Sequence, residues 1–166
     1  NGNDVVDQKV QFVQEFPNQE IMVGGSNFGY PLFSKMDAQG NIIWEKTYQS
    51  DTSHIVQAGL ICPDGNYLMA GYTGSGSDPK LFLLKFDLEA NLIWRKYYPL
   101  NNGGNLLAIN PTSDGGFIAT GNLDWTKSYD FSTFDNGFTV NQTSDDGYIV
   151  GGITTGINNN LPLVFK

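Results

Sequence analysis

Apolar and polar residues alternate along most of this chain in short runs, and Gly, Asp, Asn, Pro and Ser punctuate the runs. A period of two over such lengths predicts strands, and no window sustains a helical period. The clearest stretch predicts four strands, termed a to d: a over residues 54–61, b over 66–72, c over 80–86 and d over 92–98. Pro63-Asp64-Gly65 joins a to b, and Leu88-Glu89-Ala90-Asn91 joins c to d. Asp-Gly between two apolar runs signals a hairpin, because Gly takes the positive φ that a tight turn needs. The b–c connection, residues 73–79, is rich in Gly and Ser and reads as a loop.

The same plan returns along the chain. Lys35 and Lys85, Asp37 and Asp87, Trp44 and Trp94, and Gly71 and Gly121 all stand 50 residues apart. A period of this size marks a repeat architecture, here one domain over 1–166 with units at about 8–53, 54–104, 105–136 and 137–166. In the first unit a falls at 9–14, b at 20–25, c at 32–36 and d at 42–48, and residues 1–8 are expected to fray. Phe16-Pro17-Asn18-Gln19 replaces the Asp-Gly turn there.

The third unit is short, since Trp94 and Trp125 are only 31 apart. Strands a at 105–110 and b at 116–120 are expected, followed at once by d at Asn122-Leu123-Asp124-Trp125, with c gone. Losing one strand of a meander would invert everything after it. Yet the fourth unit has the normal plan, with a at 137–142, b at 148–152 and c at 161–166. Two readings stay open: about nineteen residues absent near Gly121 and Asn122, or a decayed repeat.

Thr112-Ser113-Asp114-Gly115-Gly116-Phe117-Ile118-Ala119-Thr120-Gly121 and the segment from Thr143 to Gly152 resemble the TSDGGYIVAG half of a repeat found in secreted and lipid-anchored bacterial surface proteins. Leu83 to Asp87, with Asn91 to Tyr97, resembles the LLKLDxxGNIxWxKTY half. The likeness covers nearly the whole chain beyond the leader. It implies an all-β fold of β-propeller blades, each a four-stranded antiparallel sheet. It implies little chemistry, because one blade type is reused for many tasks. Closed rings hold about four to eight blades, so the units here are expected as an incomplete ring, a fragment of a larger propeller, or an arc completed by another chain.

Charge narrows the partners. Nine Lys and Arg against seventeen Asp and Glu give a net charge of -8, which repels nucleic acid and anionic headgroups. No apolar run is long enough to span a bilayer as a helix. The Asn1 end carries no signal sequence, so one was removed or never present, and the acidic, Asn- and Gly-rich composition suits an extracellular or cell-surface protein. Cys62 is the single cysteine, set beside Leu60, Ile61 and Pro63, and is expected as a small buried residue.

Each chemical candidate has a structural rival. Trp44, Trp94 and Trp125 share one repeat position, as do Tyr48, Tyr98 and Tyr129, and packing between neighbouring sheets is expected over sugar stacking. Asp64, Asp114, Asp145 and Asp146 sit at turns, where carboxylates cap backbone amides, and form no calcium-loop run. Asp37 and Asp87 recur beside Lys35 and Lys85 as turn residues rather than a glycosidase pair. His54, the sole histidine, is expected at a strand start facing water, and alone it makes neither a zinc site nor a triad. Gly74-Ser75-Gly76-Ser77 lacks the Lys-Ser/Thr ending of a phosphate loop.

No catalytic residue, metal site or cofactor is therefore expected. Recognition of a protein or glycan is expected on the loops that differ between copies, 26–31, 73–79, 100–104 and 154–160. The candidate contacts are Asn27, Tyr30, Ser75, Ser77, Asp78, Asn101, Asn102, Asn158 and Asn159. The alternatives are a polysaccharide-acting hydrolase or lyase using acids outside the repeat register, from Asp51, Asp78, Asp124, Asp130 and Asp135, or a purely structural spacer.

Overall fold

Turn chemistry comes first in building this fold. At Asp37 one carboxylate oxygen accepts from the backbone N–H groups of Gln39 at 2.9 Å and Asn41 at 2.8 Å, and the other accepts from the Asn41 side chain at 2.9 Å. Asp87 makes the same three bonds, to Glu89 and Asn91, at 3.0, 2.8 and 2.9 Å. These bonds hold both carboxyls below the usual carboxylate range, led by the Asn41 and Asn91 side chains. The left-handed residue that ends each turn is Gly40 in one copy and Ala90 in the other.

The computed structural model describes residues 8–74, 79–99, 105–122, 135–155 and 160–165. These form four antiparallel meanders with no helix among the described residues. Sheet 1 holds β1 (Gln8–Glu15), β2 (Ile21–Asn27), β3 (Tyr30–Met36) and β4 (Ile42–Thr47). Sheet 2 holds β5 (His54–Ile61), β6 (Tyr67–Thr73), β7 (Lys80–Phe86) and β8 (Leu92–Pro99). Sheet 3 is β9 (Asn105–Pro111) and β10 (Phe117–Asn122). Sheet 4 is β11 (Asp135–Gln142), β12 (Tyr148–Thr155) and β13 (Asn160–Phe165). In every sheet the a strand carries a bulge at the same place, leaving Gln11, Gln57, Leu107 and Phe138 without a register partner. Each copy of a therefore bends alike, and β5, β9 and β11 each lie against the sheet before them.

The sheets stack in chain order. Met22 and Phe33 of sheet 1 meet Val56, Tyr67, Met69, Phe82, Leu84 and Phe86 of sheet 2 in one core. The opposite side of sheet 2 presents Leu60, Leu68, Ala70 and Leu81 to Leu106 and Ile109 of sheet 3 in a second core. Alternate residues of β6 thus face different cores, and five consecutive positions of it are buried. Close approach is needed where Phe12 crosses from β1, because a Cβ on Gly24 or on Gly59 would lie 2.1 Å from its ring. Cys62 is buried in the second core, and burial pushes its thiol up to about 11.

One carboxylate has changed place between copies. Lys85 pairs with Asp64 of the a–b turn at 2.5 Å, and Asp64 also caps the N–H of Asn66. In the first unit Asn18 keeps the cap, bonding Glu20 N–H at 3.2 Å, while Glu20 itself pairs with Lys35 at 2.6 Å. Each lysine draws its acid below the usual carboxylate range. Turn and ion pair both survive the loss of Asp-Gly.

Sheet 3 corrects the expectation for the third unit. Asn122 belongs to strand b, because the β10 register runs on through Gly121 opposite Leu106 and Asn122 opposite Asn105. Leu123, Asp124 and Trp125 lie outside the described residues. The direction of the fourth unit is kept: the Asn110 side chain bonds to Val140 and Asn141, and the N–H of Ser113 donates to the Gln142 side chain at 2.7 Å. Strands β9 and β11 thus run side by side in the same sense, so the chain leaves β10 and enters β11 at the same end.

Candidate functional site

The meanders sort their connections between two ends. All described a–b and c–d turns lie at one end, where Asp37, Asp64, Asp87 and Asp114 cap backbone amides. The b–c and d–a connections leave from the other. Every loop expected to vary, 26–31, 73–79, 100–104 and 154–160, is flanked by strand ends on this second side. Of the candidate contacts, Asn27 and Tyr30 are described, while Ser75, Ser77, Asp78, Asn101, Asn102, Asn158 and Asn159 lie outside the described residues.

The first of these loops is tighter than expected. Strand β2 runs to Asn27 and β3 starts at Tyr30, so residues 26–31 are strand ends joined by two residues, Phe28 and Gly29, both with positive φ, 48° and 79°. Positive φ at both centres is the hairpin turn whose twist matches its strands. Asn27 and Tyr30 therefore face each other across the ladder, half-buried, and the Asn27 Oδ1 is buried without a hydrogen-bond partner among the described residues. Ser53 ties this hairpin to the second b–c loop. Its hydroxyl donates to the Gly29 carbonyl at 3.2 Å, and its own carbonyl accepts from Gly74 N–H at 2.8 Å.

Beneath Ser53 lies His54, and here the expectation fails. Its ring is fully buried instead of facing water. The start of β5 is covered on one side by the sheet 1 hairpin, whose Gly29 carbonyl accepts His54 N–H at 2.6 Å, and on the other by Phe82, 4.8 Å between ring centroids. Nδ1 lies 2.8 Å from the Thr52 carbonyl, which can only accept, so Nδ1 carries the proton. It shares that proton with Ser50 Oγ at 2.9 Å. Nε2 is then an acceptor, and the Tyr97 hydroxyl donates to it at 2.9 Å. Burial holds the imidazole below the usual histidine range, with the Arg95 charge acting the same way against the Thr52 carbonyl.

The network continues to the surface. Arg95 on β8 is exposed and hydrogen-bonds the hydroxyls of Tyr48 and Tyr97. Tyr48 leaves the end of β4 with its N–H on the Pro31 carbonyl at 2.8 Å, and its ring meets Phe86 edge-on at 5.6 Å. Burial raises the Tyr97 phenol above its ordinary value, and Arg95 opposes that. The cluster joins the buried imidazole, two tyrosine hydroxyls and one guanidinium where Tyr48, at the end of β4, meets β8.

Other candidates take structural places. Trp44 and Trp94 are half-buried against the first and second cores, under the Lys46 and Lys96 ammonium groups at 5.7 and 5.3 Å. Tyr48 packs on the first core, whereas Tyr98 is 40% exposed. Trp125 and Tyr129 lie outside the described residues, as do Asp78, Asp124 and Asp130. Asp51 is exposed. Among the described residues no three His, Cys, Asp or Glu side chains converge on a metal position, and no helix is long and apolar enough to cross a membrane. Sequence reasoning passed over Arg95 altogether. The available signal was a break in the repeat, since Glu45 stands where Arg95 does.

The chain matches no protein-family model, and no curated protein matches it.

Proposed function

We propose that this chain is a run of β-propeller blades acting as a non-catalytic binding module of a secreted or cell-surface protein, meeting a protein or glycan with its loop end. The observation carrying this is the division of labour between the ends. At one end the turns keep one capped plan even where their residues differ; the other gathers the connections that differ in length, on strands anchored in the two cores. The blade reading is supported by sheets that stack in chain order, each after the first laying its bulged a strand on the sheet before.

Arrays of surface proteins and glycans test this with the wild type, Tyr30→Ala, a chain shortened across 73–79, and Gln39→Ala at the opposite end as control. Loss of a ligand in the first two variants and retention in the third is the expected result. A ligand lost only with Gln39→Ala would move recognition to the turn end and end the proposal.

A further inference from the structure

Arg95 is the only arginine in the chain, and it breaks the repeat. In sheet 1 the register positions of Arg95 and Tyr97 are filled by Glu45 and Thr47. The Arg95–Tyr97 pair is therefore not a scaffold feature shared by every copy. Among the described residues no carboxylate pairs with Arg95; its partners are the neutral oxygens of Tyr48 and Tyr97. A guanidinium has five N–H donors in a planar fork. Two phenol oxygens orient that fork without cancelling its charge, and the rest stays open to solvent. Tyr97 cannot turn away, because its proton is committed to the buried Nε2 of His54. Tyr48 still has its own hydroxyl proton to give.

We infer that Arg95, with the Tyr48 hydroxyl beside it, is a carboxylate-binding subsite for an acidic glycan lying over β8 where Arg95 meets Tyr48. A preoriented guanidinium binds carboxylate through paired, charge-assisted hydrogen bonds. The ring beside it favours sugar over peptide: Tyr97, 37% exposed, offers an apolar face on which pyranose C–H groups pack. Lys46, two residues before Tyr48 on the same face of β4, is held over Trp44 and bonded to the Glu89 carbonyl, so Arg95 is the charge this subsite offers. Tyr48 and His54, the partners that frame the site, are bonded through their N–H groups to the Pro31 and Gly29 carbonyls of the β2–β3 hairpin, so the site rests on the loop-end reading and gives that end a ligand class.

Calorimetry with a short polygalacturonate oligomer, and with the same oligomer fully methyl-esterified, tests it. The free acid is expected to bind and the ester to bind at least about tenfold more weakly, the scale of a lost charged hydrogen-bonded pair. Arg95→Gln is expected to lose about tenfold for the acid and nothing for the ester, Arg95→Lys to fall between, and Tyr48→Phe to lose about threefold with the ring retained. Unchanged melting of Arg95→Gln shows that the fold is intact. Equal binding of acid and ester, no binding of either, indifference to Arg95→Gln, or stronger binding of a hexaglutamate peptide overturns the inference. An array ligand lost with Tyr30→Ala but untouched by Arg95→Gln would leave the loop-end reading standing without this subsite; no array ligand at all removes both.

Discussion

The row Val10, Gly25, Leu32 on sheet 1 and the row Val56, Gly71, Phe82 on sheet 2 hold the same register positions, yet they meet different surroundings. Val56 is fully buried against Met22 and Phe33, whereas Val10 is 65% exposed. Sheet 2 is held from both faces and sheet 1 from one. Identical local patterns thus contribute unequal stability, and the neighbouring sheet decides the amount.

The largest expected difference comes from that row. Phe82→Ala should cost about 3–5 kcal/mol and Val56→Ala about 2, while Val10→Ala should change stability by less than about 0.5; denaturant melts of the three variants check the order. Equal losses at Val10 and Val56 would mean that sheet 1 is covered on its outer face too. Next comes the crossing of Phe12 between the sheets. Gly59→Ala puts a methyl into its ring and should cost about 1–3 kcal/mol, and the double variant Gly59→Ala with Phe12→Ala should cost less than the sum.

The seam between the two sheets has a pH signature. Because burial lowers the folded pKa of His54, the unfolded chain binds a proton that the folded chain refuses. The stability involved is fully present above the unfolded value, about 6.5, and is lost as pH falls through it toward the depressed folded value. The slope should approach but not exceed about 1.4 kcal/mol per pH unit, and His54→Gln should flatten it in melts between pH 7.5 and 5. A slope indifferent to His54→Gln would place the titrating group elsewhere.

The smallest effect compares the two c–d turns. Ala90 holds φ 57° where Gly40 holds φ 84°. Ala90→Gly relieves a left-handed side chain and should stabilise by roughly 0.5 kcal/mol, while Gly40→Ala should destabilise by about 1. Differential melts resolve both signs.

Much of the architecture was legible because this chain places its information in local pairs. Residues 54–61 and 80–86 were bounded correctly because a polar turn stands at each side of a short alternating run, and Asp37 and Asp87 announced their turns by recurring with Asn four residues on. The hairpin at Phe28-Gly29 hid because Phe is an uncommon occupant of the left-handed region. His54 hid for a different reason. Its neighbours in sequence are polar, and the groups that bury it, Phe82, Tyr97 and the Gly29 carbonyl, arrive from three other strands or turns. Arg95 was invisible inside a segment read wholly as scaffold; only comparison with Glu45 exposes it.

The route from β10 to β11 bears on how such chains change length. Departure and return on one side leave β11 running in the same sense as β9, as a whole number of back-and-forth passes would. Removing a back-and-forth pair leaves downstream sequence facing the way it evolved to face, whereas removing a single pass would turn it upside down against its neighbour. A deletion series cut in even and odd numbers of strands should therefore fold in the first case and aggregate in the second.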